Sequence, residues 1–271
     1  MNQAQKTLSL SIMSGKGGVG KTNIALNLAY ALTANGHSAL LMDCDLGLAN
    51  LDVLLGVVPD RNLEDLLDEA VTPEQVLVNL EPGRIDFLPS ASGVPELVEW
   101  DMDVQTILFQ KLNSSFQMYD FILLDLGAGI NSTVIELASM TSVQCVVISP
   151  EPTSLTDGYA LIKVLHTQKG HRDFQVIVNT AQTEKQGLQT FKRLQAACKQ
   201  FLDIEPVLLG VILEDPNLPR AVASQTPLWK LAPTSQACRD IDKVSSGLLR
   251  LQNTLALEEG RPLKIPFENP K

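Results

Sequence analysis

The segment Gly15-Lys16-Gly17-Gly18-Val19-Gly20-Lys21-Thr22 constrains the fold of this chain more than any other. It fits the pattern G-x-x-x-x-G-K-[ST]. It also stands in the required context, between residues 7–13, which read as a strand, and residues from about Lys21 to Asn35, which read as a helix. Ile24, Leu28, Ala31 and Leu32 form the apolar stripe of that helix. In such a loop Gly15, Gly17, Gly18 and Gly20, with Val19 among them, let the backbone curl until successive N–H groups point at phosphate oxygens. The helix that follows adds the positive end of its dipole. Lys21 is then placed along the β- and γ-phosphates, and Thr22 puts its hydroxyl on Mg²⁺.

The remaining pattern repeats the first unit. Short apolar runs at residues 38–42, 85–88, 121–124, 143–148, 174–178 and 207–212 are mostly separated by helix-like stretches. Such alternation predicts an α/β fold, a mostly parallel, doubly wound sheet with helices on both faces. No linker or change of composition divides the chain. One domain over residues 1–271 is expected, with 1–6 as a short extension and 260–271, which holds three prolines, as an extended tail.

Charge narrows the partners. The chain has 21 Lys and Arg against 31 Asp and Glu, a net charge of −10, which argues against nucleic acid as the main partner. Residues 1–159 hold 6 basic and 20 acidic residues, a net −14, while 160–271 hold 15 and 11, a net +4. The later half therefore has room for a local basic face toward an acidic protein or lipid. Cys44, Cys145, Cys198 and Cys238 are too far apart in sequence for a metal-binding pattern and read as buried thiols. With no signal-peptide pattern and no apolar run near the ~18 residues of a membrane span, a cytoplasmic protein is expected.

Three carboxylates complete the chemistry. Asp43 and Asp45, two apart at the end of the second strand, can both approach a crevice at the strand's carboxyl end. Asp125 ends the apolar run Phe121-Ile122-Leu123-Leu124, the Walker B arrangement of an acid at a strand tip near Mg²⁺.

The loop's second lysine, Lys16, is not required by the bare motif. With it, the loop resembles that of the deviant P-loop ATPases of the MinD/ParA type, and the resemblance runs from about Leu8 to Leu231. It implies ATP or ADP with Mg²⁺ as ligands. Lys16 becomes a lysine that reaches across a nucleotide-sandwiched homodimer to the partner's ATP, acting like an arginine finger in trans. The run Asp43-Cys44-Asp45-Leu46-Gly47-Leu48-Ala49-Asn50-Leu51-Asp52 becomes switch I, with Asp45 orienting the attacking water and Asp43 binding the water shell of Mg²⁺. Asp125 and Gly127-Ala128-Gly129-Ile130 become switch II. Asn179, and Glu214 within Gly210-Val211-Ile212-Leu213-Glu214-Asp215, fall at adenine; Glu151 and Asp157 fall at the dimer interface. Leu126, Gly127 and Leu213 depart from residues common in the family, namely Thr or Ser, Pro or Ala, and Pro.

Residues 45–56, 90–93 and 151–163 look most like the FlhG/FleN branch of this family. That implies an ATP-dependent dimeric switch with slow hydrolysis, controlling flagellar number and placement through flagellar assembly proteins or a flagellar transcription regulator. An FlhF-type GTPase is a further candidate partner, although Asn2–Leu8 only echo the start of the activating D-Q-A-x-x-L-R helix. Ile241, Val244, Leu248, Leu251 and Leu255 form a stripe within residues 239–257, whose mixed charges read as a helix packed on the domain. A lipid-surface helix has a basic polar face; peripheral attachment at the inner membrane face or the cell pole stays open. The alternative reading is a ParA-class partition ATPase that binds DNA nonspecifically as an ATP dimer.

Overall fold

The computed structural model describes residues 7–45, 50–81, 83–90, 102–257 and 261–264, without the side chains of 102–106. The expectations for the N-terminal extension, for residues 46–49 and 91–93, and for most of the tail lie outside these residues.

In chain order the elements are β1 (Leu8–Ser14), α1 (Lys21–Ala34), β2 (Ala39–Cys44), α2 (Leu51–Leu55), β3 (Val78–Glu81), β4 (Ile85–Leu88), α3 (Met102–Phe116), β5 (Phe121–Ala128) and α4 (Ser132–Met140). Then come β6 (Val143–Ile148), α5 (Pro152–Lys169), β7 (Phe174–Ala181), α6 (Glu184–Leu202), β8 (Val207–Leu213), α7 (Asn217–Ala223), α8 (Leu228–Leu231) and α9 (Gln236–Thr254). The described strands form one eight-stranded sheet in the order β3-β4-β2-β5-β1-β6-β7-β8. All neighbours are parallel except β3 and β4. This is the doubly wound sheet that the repeated apolar runs predict.

Successive strand residues face opposite layers, so strands covered on both sides are mostly apolar; β1 interleaves its apolar residues with the buried Ser9, Ser11 and Ser14. Leu40, Met42, Ile122, Leu124, Val146 and Ile148 pack into the layer that holds α3 to α6. Ala39, Leu41, Phe121, Leu123, Cys145 and Val147 pack into the layer that holds α1 and α9. β1 lies between β5 and β6. The chain leaves β1 through α1 toward β2 on one side, and later crosses from β5 through α4 to β6 on the other. Winding therefore reverses at β1, and a crevice opens beyond its carboxyl end, where ligands bind in such sheets.

Strand β3 was not predicted. Its four residues, Val-Asn-Leu-Glu, are half-buried or exposed and pair with β4 as an edge hairpin. So short a segment on one edge carries little periodic signal.

The C-terminal helix packs on the body of the protein. Ser235 caps α9 by accepting from the Cys238 N–H at 3.3 Å. Ile241, Val244 and Leu248 are buried against the α1 layer, Leu251 is partly buried, and Leu255 is 38% exposed. Beyond it, Pro262 and Leu263 are buried. The Ser9 hydroxyl donates to the Pro262 carbonyl, and Lys264 N–H donates to the Met140 carbonyl at 2.8 Å. No described helix is long and apolar enough to cross a membrane.

Leu248→Ala is expected to lower stability by about 2–4 kcal/mol, because it empties a fully buried site. Leu255→Ala should stay within about 1 kcal/mol. Urea denaturation of both variants checks this; equal small losses would contradict the packed stripe.

Candidate functional site

The crevice at the end of β1 begins with the glycine loop. Gly20 takes a left-handed conformation, φ 90°, immediately before α1, and no side chain caps that helix. A Cβ at residue 20 would lie 2.4 Å from Asn179 Nδ2, so glycine is required twice over. Helix α1 thus presents uncapped N–H groups toward the crevice, a ready anion site. Gly15 has a different reason: a Cβ there would meet the Asp157 carbonyl oxygen of α5 at 2.2 Å. The loop is also fastened by Ser14 Oγ donating to the Lys16 carbonyl at 2.7 Å and by Gly129 N–H donating to the Ser14 carbonyl at 2.9 Å.

Lys21, Thr22, Asp43, Asp45 and Asp125 are brought together. Asp43 and Asp125 are register partners on β2 and β5. Asp125 is 2% exposed and accepts a hydrogen bond from Thr22, while its Oδ1 is buried with no partner. Burial, then the nearby Asp43 charge, push its pKa up to about 8, against the Thr22 bond and Lys21. Asp43, 1% exposed, is pushed up to about 6, chiefly by burial. Its carboxylate accepts from the N–H groups of Asp45, Asn50 and Leu51, each at 3.1 Å, which ties the start of α2 to the tip of β2. Lys21 is 7% exposed, and burial lowers its pKa against the raising effects of Asp125 and Asp45. Asp45 lies against Gly127, where a Cβ would sit 3.1 Å from its Oδ1. The family-atypical glycine at 127 therefore leaves room for the Asp45 carboxylate.

These groups suit a hard divalent cation. Asp125 offers an orphaned carboxylate oxygen beside the Thr22 hydroxyl, with a second carboxylate on the next strand. Among the described residues no three His, Cys, Asp or Glu side chains are arranged to hold a metal by themselves. Such a set matches Mg²⁺, which keeps waters and takes one or two carboxylates together with phosphate oxygens.

Lys16 stands at the rim. Its Nζ pairs with the Glu151 carboxylate of its own chain and donates to Thr153 Oγ1 at 3.1 Å. Glu151 and Asp157 thus meet two adjacent residues at the start of the loop, Glu151 through Lys16 and the Asp157 backbone against Gly15. Beside α1, a cavity of about 210 Å³ is lined by Asn23, Ile24, Asn179, Thr180, the 212–216 loop, Leu218, Pro219, Ala237 and Ile241. Asn179 borders it with its amide nitrogen spent on the Val19 carbonyl, at 2.8 Å. Glu214 is exposed, whereas Asp215 is buried. Thr153 and Asp215 were not singled out from the sequence. Asp215-Pro216-Asn217 does carry a signal, since Asp two residues before a turn amide forms an Asx turn.

Anion donors at a topological switch point, backed by oxygen ligands for a hard cation, define a P-loop nucleotide-binding protein. Sequence comparison narrows this class. Residues 10–228 match the CobQ/CobB/MinD/ParA nucleotide binding domain, and the chain belongs to this family of P-loop ATPases. The antiactivator FleN of Pseudomonas aeruginosa is 37% identical over 228 residues, which cover 84% of this chain and 81% of that protein. The flagellum site-determining protein YlxH of Helicobacter pylori is 33% identical over 254 residues, covering 93% and 85%. Among solved structures, the septum site-determining protein MinD of Pyrococcus horikoshii, complexed with Mg-ADP, aligns with a TM-score of 0.73 at 26% identity, covering 92% of this chain and 100% of that one. The MinD/ParA resemblance and its FlhG/FleN branch agree with these relatives.

The raised carboxyl of Asp125 links pH to stability. A carboxyl whose folded pKa lies above its unfolded value stabilises the protein fully below the unfolded pKa, and that contribution is lost as pH rises through the folded value. Between about pH 5 and about pH 8, the nucleotide-free wild type should therefore lose melting temperature relative to Asp125→Asn. Thermal unfolding across that window checks it; parallel curves for the two proteins would contradict the raised pKa.

Proposed function

We propose that this chain is a Mg²⁺-dependent regulatory ATPase that dimerises with ATP and controls flagellar number or placement through protein partners. The observation that carries the reading is the convergence of Lys21, Thr22, Asp45 and Asp125 beneath an uncapped helix start, with Lys16 at the open rim. The relatives support the biological setting, since their names describe an antiactivator, FleN, and a determinant of flagellum site, YlxH. The proposed place of action is the cytoplasm, at the pole or inner membrane face. The acidic first half, net −14, and the buried stripe of α9 favour protein partners over DNA or direct lipid contact.

In this reading the N–H groups of residues 15–22 and the Lys21 ammonium hold the β- and γ-phosphates. Thr22, Asp125 and Asp43 would hold Mg²⁺, Asp43 by way of its water shell. When bound, Mg²⁺ would supply positive charge that offsets the negative charge developing on the phosphate oxygens. Asp45 orients the attacking water over Gly127. Lys16 exchanges its own-chain Glu151 for the partner's nucleotide, adding positive charge where the transition state needs it. Asp157, behind Gly15, carries the interface face of α5. The adenine lies in the cavity between Asn179 and the 212–216 loop.

Asp45→Ala should trap an ATP-bound dimer with turnover reduced at least about a hundredfold, following loss of water orientation. Size-exclusion chromatography with Mg·ATP checks it, and a monomeric variant would count against the dimer. Lys16→Ala should still bind ATP but neither dimerise nor hydrolyse it. ATPase assays across protein concentration test this, and unchanged turnover would remove Lys16 from the mechanism.

A further inference from the structure

The cavity beside α1 is built where the loop after β8 meets the start of α9, beyond the stretch in which β8 and α9 already pack together, Gly210 against Val244 and Leu209 against Gly247. One wall is the loop between β8 and α7; the floor is Ala237 and Ile241 of α9, each 3% exposed. The two are tied by carboxylates. Asp215, 6% exposed, accepts from Asn217 N–H at 2.9 Å and Asn217 Nδ2 at 3.0 Å through Oδ1, and from Ala237 N–H at 3.0 Å through Oδ2. Ser235, the cap of α9, also hydrogen-bonds to it. From the other side, Asp240 of α9 accepts from Leu213 N–H at 3.3 Å. The loop's remaining tether is Glu214 N–H donating to the Ala181 carbonyl at 2.9 Å.

Four donors on one buried carboxylate leave it no lone pair directed at a ligand. Burial works against its charge, but the bonds from Ala237, Asn217 and Ser235 outweigh that and hold it below the usual carboxyl range. Asp215 therefore shapes the cavity without reading its occupant. It also sits at the first turn of α9, where an anion satisfies orphan N–H groups and complements the helix dipole.

We propose that Asp215 is a positioning residue for the nucleotide base: by latching the 213–217 loop to the first turn of α9, it makes the C-terminal helix the floor of the base subsite. The inference rests on the nucleotide reading of this site. It separates two contributions to affinity. Phosphate binding depends on the glycine loop and Lys21, which Asp215 does not touch; base binding depends on the latch.

The test compares Mg·ADP with Mg·tripolyphosphate, which has phosphates and no base, by isothermal titration calorimetry. Asp215→Ala should weaken ADP binding about tenfold and leave tripolyphosphate within about twofold, as expected for lost charge-assisted hydrogen bonds at the base subsite alone. Asp215→Asn keeps size and shape but loses one acceptor, so it should fold even where the alanine variant does not and should lose about threefold for ADP. Equal weakening of both ligands, or unchanged ADP affinity in both variants, would overturn the proposal. A wild-type protein that binds neither ligand would remove the nucleotide reading and this inference together. Wild-type binding of ADP with variants that match it would remove the inference alone.

Discussion

Two carboxylates held side by side away from water, Asp43 and Asp125, set the conditions for the whole carboxyl end of the sheet. Like charges in a medium of low dielectric repel, and burial alone already disfavours both. The chain offsets this with neighbouring groups. Lys21 and the Thr22 hydroxyl approach Asp125, and three backbone N–H groups converge on Asp43. Those partners are themselves the start of α1 and the loop leading to α2. Helix start and strand tips are thus one electrostatic unit, in which the protonation of Asp43 and Asp125 depends on each other and on the groups around them.

That unit is braced from both helical layers. From one side α5 presses its backbone against Gly15, while Glu151 at its cap pairs with Lys16. From the other, α9 closes the cavity next to α1. Asn179, from β7, joins the two by holding the Val19 carbonyl. A doubly wound sheet makes this convergence natural, because only at the point where winding reverses can elements from both faces reach the same ligand.

Much of this was legible in the sequence. The fold followed from apolar strands alternating with helical periods, because parallel strands covered on both faces are mostly apolar. Lys21 and Thr22 followed from a loop pattern with strong steric requirements, and Asp43, Asp45 and Asp125 from acids placed at the ends of apolar strands. What could not be read were pairings across distance. Lys16 meets Glu151 of the same chain at a separation of 135 residues, and Asp215 meets Ala237 across 22. No local periodicity encodes either contact. Gly127 shows a subtler limit. Beside relatives it reads as a missing side chain, whereas in space it is the room that Asp45 occupies. The edge strand β3 escaped for a third reason, being too short and too exposed for its pattern to stand above the background.

The position of β1 bears on how the protein comes into being. It is the first strand in the chain, yet its neighbours in the sheet are β5 and β6, with Leu8 opposite Phe121 and Leu10 opposite Val143. Its Ser9 also meets Pro262, 253 residues away. During synthesis at about 5–20 residues per second, an apolar strand destined for the centre must wait several seconds before any partner leaves the ribosome. Contacts so distant in sequence also slow the search itself. A chain of this design makes β1 well before β5 and β6, so the interval between their synthesis, more than the finished state, is the period when chaperones matter.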